Sequence, residues 1–177
     1  MLTSLVYPLP PPRPNPILPE AFYARDTVTV ARALLGKVLV CGSVAAPIVE
    51  VEAYLGMEDK AAHAARGITP RTRVIYGPPG RAYVYLIYGM YDCLNLITEP
   101  DGTPGCVLIR AVTTVSGPGR LTRHFGITRA HNAMPVIDPS SPLTVHDHGI
   151  QPAQITVTPR IGIRHCADWP LRFLAQL

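Results

Sequence analysis

Twenty prolines are scattered through the 177 residues of this chain. Each removes a backbone donor and fixes φ, so many loops and few long helices are expected. The densest cluster, residues 8–19, reads Pro-Leu-Pro-Pro-Pro-Arg-Pro-Asn-Pro-Ile-Leu-Pro and favours polyproline II. Residues 1–19 are therefore an extended arm, to which no role is assigned, and residues 20–177 form one domain. That length buries a real core. Apolar residues at 47% and charged residues at 16% describe a globular chain rather than a disordered one.

Residues 20–35 read as two helical pieces, the second capped by Asp26 and ended by Gly36. Lys37 to Cys41 is a strand, and Pro47 leads into a second, Ile48 to Tyr54. Strict alternation there puts Val49, Val51 and Ala53 on one face and Glu50, Glu52 and Tyr54 on the other. Asp59 to Ala65 is a short helix bearing His63. Arg81 to Ile87 and Tyr91 to Ile97 form a hairpin turning near Gly89. Cys106 to Val112 is an apolar strand interrupted by one charge, Arg110. Two short strands follow, Thr144-Val145 and Ile155-Thr156-Val157. Strands and helices without regular βαβ alternation make this a single-domain, largely antiparallel α+β fold.

No apolar run reaches the roughly 18 residues of a membrane helix, and the first seven residues lack the basic flank and apolar stretch of a signal peptide. A soluble, cytoplasmic protein is expected. The four cysteines, Cys41, Cys93, Cys106 and Cys166, make no CxxC pair, so buried free thiols are expected in place of a zinc or redox site. There is no G-x-S-x-G, P-loop, HExxH or G-x-G-x-x-G.

The net charge of +4 says less than its distribution. Between Asp59 and Asp92 there is no acidic residue, while Lys60, Arg66, Arg71, Arg73 and Arg81 fall there with five of the eight tyrosines. A second acid-free window, Asp101 to Asp138, holds Arg110, Arg120, Arg123 and Arg129. Cations that neutralise phosphates, interleaved with rings that stack on bases, are what nucleic acid requires. Tyr88, just before Gly89, stands at a hairpin tip, where an aromatic can wedge between base steps. Gly117-Pro118-Gly119 ahead of a helix-like stretch suits a phosphate at a helix N-terminus. Glu50 and Glu52 emerge about 6.5–7 Å apart on one strand face, and a buried Arg110 needs such a carboxylate as partner. Three classes fit: a hydrolase in which one glutamate activates water, a glycoside hydrolase using Glu50 and Glu52 as an inverting pair, and a non-catalytic nucleic-acid-binding module.

An ordered set of segments decides among them. Ala31–Gly36, Ile48–Gly56, Asp59–His63, Thr69–Arg71, Gly77–Gly80, Tyr83–Met90, Cys93–Asn95, Val107–Arg110, Gly117–Leu121, Arg160–Ile163 and Pro170–Phe173 resemble, in family order, the alkyladenine (3-methyladenine) DNA glycosylases. The resemblance implies a monofunctional base-excision repair enzyme that flips a damaged purine from double-stranded DNA and hydrolyses its N-glycosidic bond. Implied lesions are 3-methyladenine, 7-methylguanine, hypoxanthine and ethenoadenine. The implied fold is one domain around a curved antiparallel sheet with a protruding hairpin, acting as a monomer without cofactor or metal. By the same resemblance Glu52 is the general base, and Arg110 and the Ile161 carbonyl share the water it activates. Tyr54, His63 and Tyr85 sandwich the base, the main chain of Ala62 and His63 reads its edge, and Asn95 rejects the guanine 2-amino group. Tyr88 is the intercalating wedge, and Arg66, Arg71 and Arg81 hold the DNA backbone. Two positions depart from the pattern: Thr72 stands where the family usually has Asn, and Ala64 follows His63 where Ser is commoner.

Overall fold

The computed structural model describes residues 8–14 and 16–177. Two short helices open the domain, α1 (Glu20–Tyr23) and α2 (Thr27–Leu34). They are separate because the Asp26 side chain accepts the Thr29 N–H at 2.9 Å and starts α2 afresh. Val30, Ala31 and Leu34, on one side of α2, are fully buried. The helix stops at Gly36, whose φ is +84° and where a Cβ would meet the Ile150 carbonyl oxygen at 2.7 Å.

The remaining elements are mostly strands: β1 (Val38–Cys41), β2 (Val44–Tyr54), β3 (Ala82–Ile87), β4 (Tyr91–Ile97), β5 (Cys106–Val112), β6 (Val115–Ser116), β7 (Leu143–His146), β8 (Gln154–Thr158) and β9 (Arg172–Gln176). Helix α3 (Pro118–Phe125) follows β6. All strand pairings are antiparallel, and the main path of the curled sheet runs β3-β4-β5-β2-β1-β7. This is the α+β architecture expected. β2 is its axis. Its first residues pair with β1, its later ones with β5 on one edge, and Glu50 to Glu52 with β9 on the other.

The alternation expected along β2 is broken. Across β2 and β5, Ile48 faces Val112, Glu50 faces Ala111 and Val51 faces Ile109, so Val49 and Arg110 have no partner in the register. These bulges turn Ile48 into the core beside Val51 and Ala53 and leave Val49 outside it, while Arg110 keeps the face of Cys106 and Leu108 and pairs with Glu50. The helix expected over 59–65 is likewise only a 3-10 turn, His63–Arg66. Asp59 is the reason. Its carboxylate accepts the N–H groups of Leu55 and Ala61 at 3.0 and 3.1 Å, a local turn that competes with helix.

The described part of the proline-rich arm is docked on β7. The His148 ring meets the Pro10 carbonyl at 2.7 Å, Arg13 pairs with Asp147 at 3.3 Å, and the Leu18 N–H donates to Val145 O at 2.9 Å. The arm thus covers the edge strand, which otherwise presents unpaired backbone groups. Among the described residues, no helix is long and apolar enough to cross a membrane. Cys41, Cys93 and Cys106 are buried thiols, and Cys166 is a free, half-buried one.

Replacing Asp26 with Ala should cost about 1 kcal/mol through the lost cap. Urea unfolding reports it as a lower midpoint with unchanged slope; an unmoved midpoint would contradict the capping role.

Candidate active site

A cavity of about 500 Å³ opens on the sheet face that carries the glutamates. β3 contributes Tyr83 and Tyr85, β4 Cys93 and Asn95, β5 Leu108 and Arg110, and the end of β2 Tyr54. The turn at Ala61 and His63, the start of α3 and the segment Ile161–Ile163 complete the wall.

Glu52 lies beneath this cavity with no exposed surface of its own. A buried carboxylate needs donors, and three lining residues supply them. Tyr54 Oη donates to Oε2 at 2.9 Å, the Ile161 N–H donates to Oε1 at 2.8 Å, and Arg110 Nη1 stands 3.5 Å from Oε1. Ile161 therefore joins the site through its amide. The main tie of Arg110 is to the other glutamate: its Nε donates to Glu50 Oε1 at 2.9 Å. Arg172 Nε, from β9, donates to the same oxygen at 2.7 Å. Glu50 is thus an anchor for two arginines, and Arg172 is a site residue that sequence reasoning missed, because β9 is too short to carry a pattern.

Tyr54, His63 and Tyr85 all line the one cavity. His63 Nδ1 and Tyr83 Oη share a hydrogen bond at 2.9 Å, and the His63 ring meets Tyr85 edge-on, centroids 4.6 Å apart. Burial first, then the positive charges of Arg71 and Arg66, hold the His63 pKa down at about 4. The imidazole is neutral at physiological pH. Burial also drives the Tyr54 and Tyr85 hydroxyls well above the ordinary tyrosine range, so both walls stay uncharged.

Asn95 is buried with both ends of its amide committed. Nδ2 donates to the Tyr83 carbonyl at 3.2 Å and Oδ1 accepts the Cys106 thiol at 3.9 Å. Ala62 lies behind the wall, its N–H given to the Asp59 carbonyl at 2.8 Å and its own carbonyl taken by Ala65 at 3.1 Å. Tyr88 is 80% exposed at the β3–β4 tip with φ of +52°, followed by Gly89 at +68°. An unsupported aromatic in a left-handed conformation is strain placed at a hairpin tip. Arg66 and Arg71 are exposed near the turn that carries His63. Arg81 is at the other end of β3 from Tyr88, its Nη1 donating to the Ala133 carbonyl at 3.0 Å. Thr72 turns inward: its hydroxyl donates to Gly67 O at 2.7 Å and accepts the Thr69 N–H at 2.8 Å. The departure at 72 therefore sits inside the loop.

A second buried pair supports the walls. Arg160 and Asp59, both without exposed side-chain surface, form a two-pronged bridge at 2.6 and 2.9 Å. Arg160 also donates to Ala53 O at 3.0 Å and covers the Tyr54 ring, Cζ 4.7 Å from its centroid. Charges 101 positions apart are invisible to local pattern reading.

Comparison with known proteins bears on this geometry. The family model for methylpurine-DNA glycosylase matches residues 21–116 and 113–176. Among curated relatives, a protein of Methanocella arvoryzae named "Putative 3-methyladenine DNA glycosylase" is 48% identical over 181 residues, covering 89% of this chain and 90% of the relative. Proteins with the same name from Anaeromyxobacter dehalogenans and Sodalis glossinidius are 47% and 46% identical, covering 88% and 90% of this chain and 80% and 96% of their own lengths.

The depressed His63 pKa gives stability a defined pH dependence. Between its ordinary value of 6.5 and about 4, the unfolded chain takes a proton that the folded one refuses. The stability supplied by neutral His63 is therefore complete above 6.5 and lost as pH falls toward 4. His63→Gln should flatten the decline of the urea midpoint across that window, and an unaltered slope would contradict the assignment.

Proposed function

The chain belongs to the methylpurine-DNA glycosylase family, and on that footing we propose that it excises damaged purines from duplex DNA by hydrolysis, with Glu52 as the general base. A base inside the helix cannot reach the cavity, so it has to be extruded at a cost of a few kcal/mol. Tyr88, projecting from its hairpin, fills the gap left behind. The extruded purine enters between Tyr54 on one side and His63 with Tyr85 on the other, and stacking there offsets part of the cost. Asn95, with both amide ends tied down, is a rigid obstacle to a guanine 2-amino group. Arg66 and Arg71 hold the backbone near the mouth, and Arg81 a more distant stretch.

The chemistry follows from the donors around Glu52. Two carboxylate oxygens offer about four lone-pair positions. Tyr54, Ile161 and Arg110 claim three, which leaves one on Oε2 to accept from a water. Arg110 and the Ile161 carbonyl orient that water. Glu52 takes its proton as the glycosidic bond breaks, and the carboxylate steadies the oxocarbenium-like sugar. The base leaves and an abasic site remains. Among the described residues no lysine lines the cavity, which supports hydrolysis by water alone over a Schiff-base route with strand cleavage. The proposed lesions are 3-methyladenine, 7-methylguanine, hypoxanthine and ethenoadenine, and the proposed setting is a monomer acting on DNA in the cytoplasm. The observation that carries this reading is a glutamate sealed under an aromatic cavity by three residues of the cavity's own wall. Glu50, committed to Arg110 and Arg172, is poorly placed to act as the acid of a glycoside hydrolase pair.

Glu52→Gln should lose at least about 100-fold in single-turnover excision from a hypoxanthine-containing duplex while DNA binding survives; near-normal excision would reject the assignment. Tyr88→Ser should weaken extrusion of a fluorescent base analogue more than it alters base preference. Unchanged fluorescence would remove Tyr88 from the wedge role.

A further inference from the structure

The two tyrosine walls share a feature that base stacking does not require. Arg160 covers Tyr54 with its Cζ 4.7 Å from the ring centroid, and Arg71 covers Tyr85 at 5.2 Å. Neither arginine lines the cavity, whereas both tyrosines do. Each guanidinium therefore lies against a wall ring without being part of the cavity lining. Arg160 is locked there by Asp59. Arg71 is exposed and has no carboxylate partner among the described residues.

An aromatic face attracts a cation through its negative quadrupole. A guanidinium already seated against the ring draws π density toward itself and repels a second cation brought to the same ring. The face offered to the base is then electron-poor. The same positive field reaches the third wall, where Arg71 and Arg66 help to keep His63 unprotonated. Resting on the glycosylase reading above, we propose that Arg71 and Arg160 set the charge preference of the cavity, weakening its hold on cationic alkylated purines and favouring neutral lesions. Arg71 is the adjustable member, because it stands on the surface and its removal leaves the buried Asp59–Arg160 pair intact.

The test compares two duplexes that differ only in the lesion, one holding cationic 7-methylguanine and one holding neutral hypoxanthine. Single-turnover release of each free base is measured at saturating enzyme for the full-length protein and for Arg71→Gln. Loss of a phosphate contact lowers both rates by one factor and cancels in their ratio. The ratio of 7-methylguanine to hypoxanthine release should rise about twofold to fivefold in Arg71→Gln, the range of an exposed cation–π contact. Arg73→Gln, which removes a neighbouring exposed arginine that covers no cavity ring, should leave the ratio unmoved. An unchanged ratio in Arg71→Gln, or an equal rise in Arg73→Gln, would overturn the inference while leaving the glycosylase reading in place. Release of neither base by the unaltered protein would instead defeat that reading, and this inference with it.

Discussion

A carboxylate without exposed surface must be satisfied from within, and the way Glu52 is satisfied organises the molecule. Its donors come from three separate elements: the Tyr54 hydroxyl at the end of β2, the Ile161 amide from the segment before β9, and Arg110 from β5. Removing one partner of a buried ion pair typically costs 3–5 kcal/mol, because the other charge is left stranded. β2, β5 and the late loop are thereby held in one relation to each other. The residues that satisfy the glutamate are also those that border the cavity, so the stability of the site and its shape have the same origin.

The Asp59–Arg160 pair extends this logic outward. Asp59 shapes the turn that presents His63, while Arg160 braces the Tyr54 ring and immediately precedes Ile161. One buried bridge thus fixes three parts of the wall. The two bulges do comparable work in the sheet. Arg110 keeps the face that Cys106 and Leu108 hold on β5, and the bulge leaves it without a partner in the register, in reach of both Glu50 and Glu52.

Much of this was readable in the chain. Alternation placed Glu50, Glu52 and Tyr54 on one face, the hairpin was bounded by Gly89, and Asp26 marked the start of α2. What escaped has physical causes. Periodicity assumes an unbroken ladder, so it grouped Val49 with Val51 and Ala53, whereas Ile48 is the residue buried beside them. Helix propensity over 59–65 lost to Asp59, whose side chain bonded the backbone locally. The pairing of Arg172 with Glu50 spans 122 positions, beyond any local pattern. The arm was read from composition as extended, and its partners along β7 lie too far off in the chain for composition to name.

The most direct test of the account is a crystal structure of Glu52→Gln bound to a duplex containing hypoxanthine. The account predicts the purine outside the helix, stacked between Tyr54 and the His63–Tyr85 pair, with Tyr88 in the vacated position. A purine still paired in the duplex, or extruded into any other part of the protein surface, would contradict it.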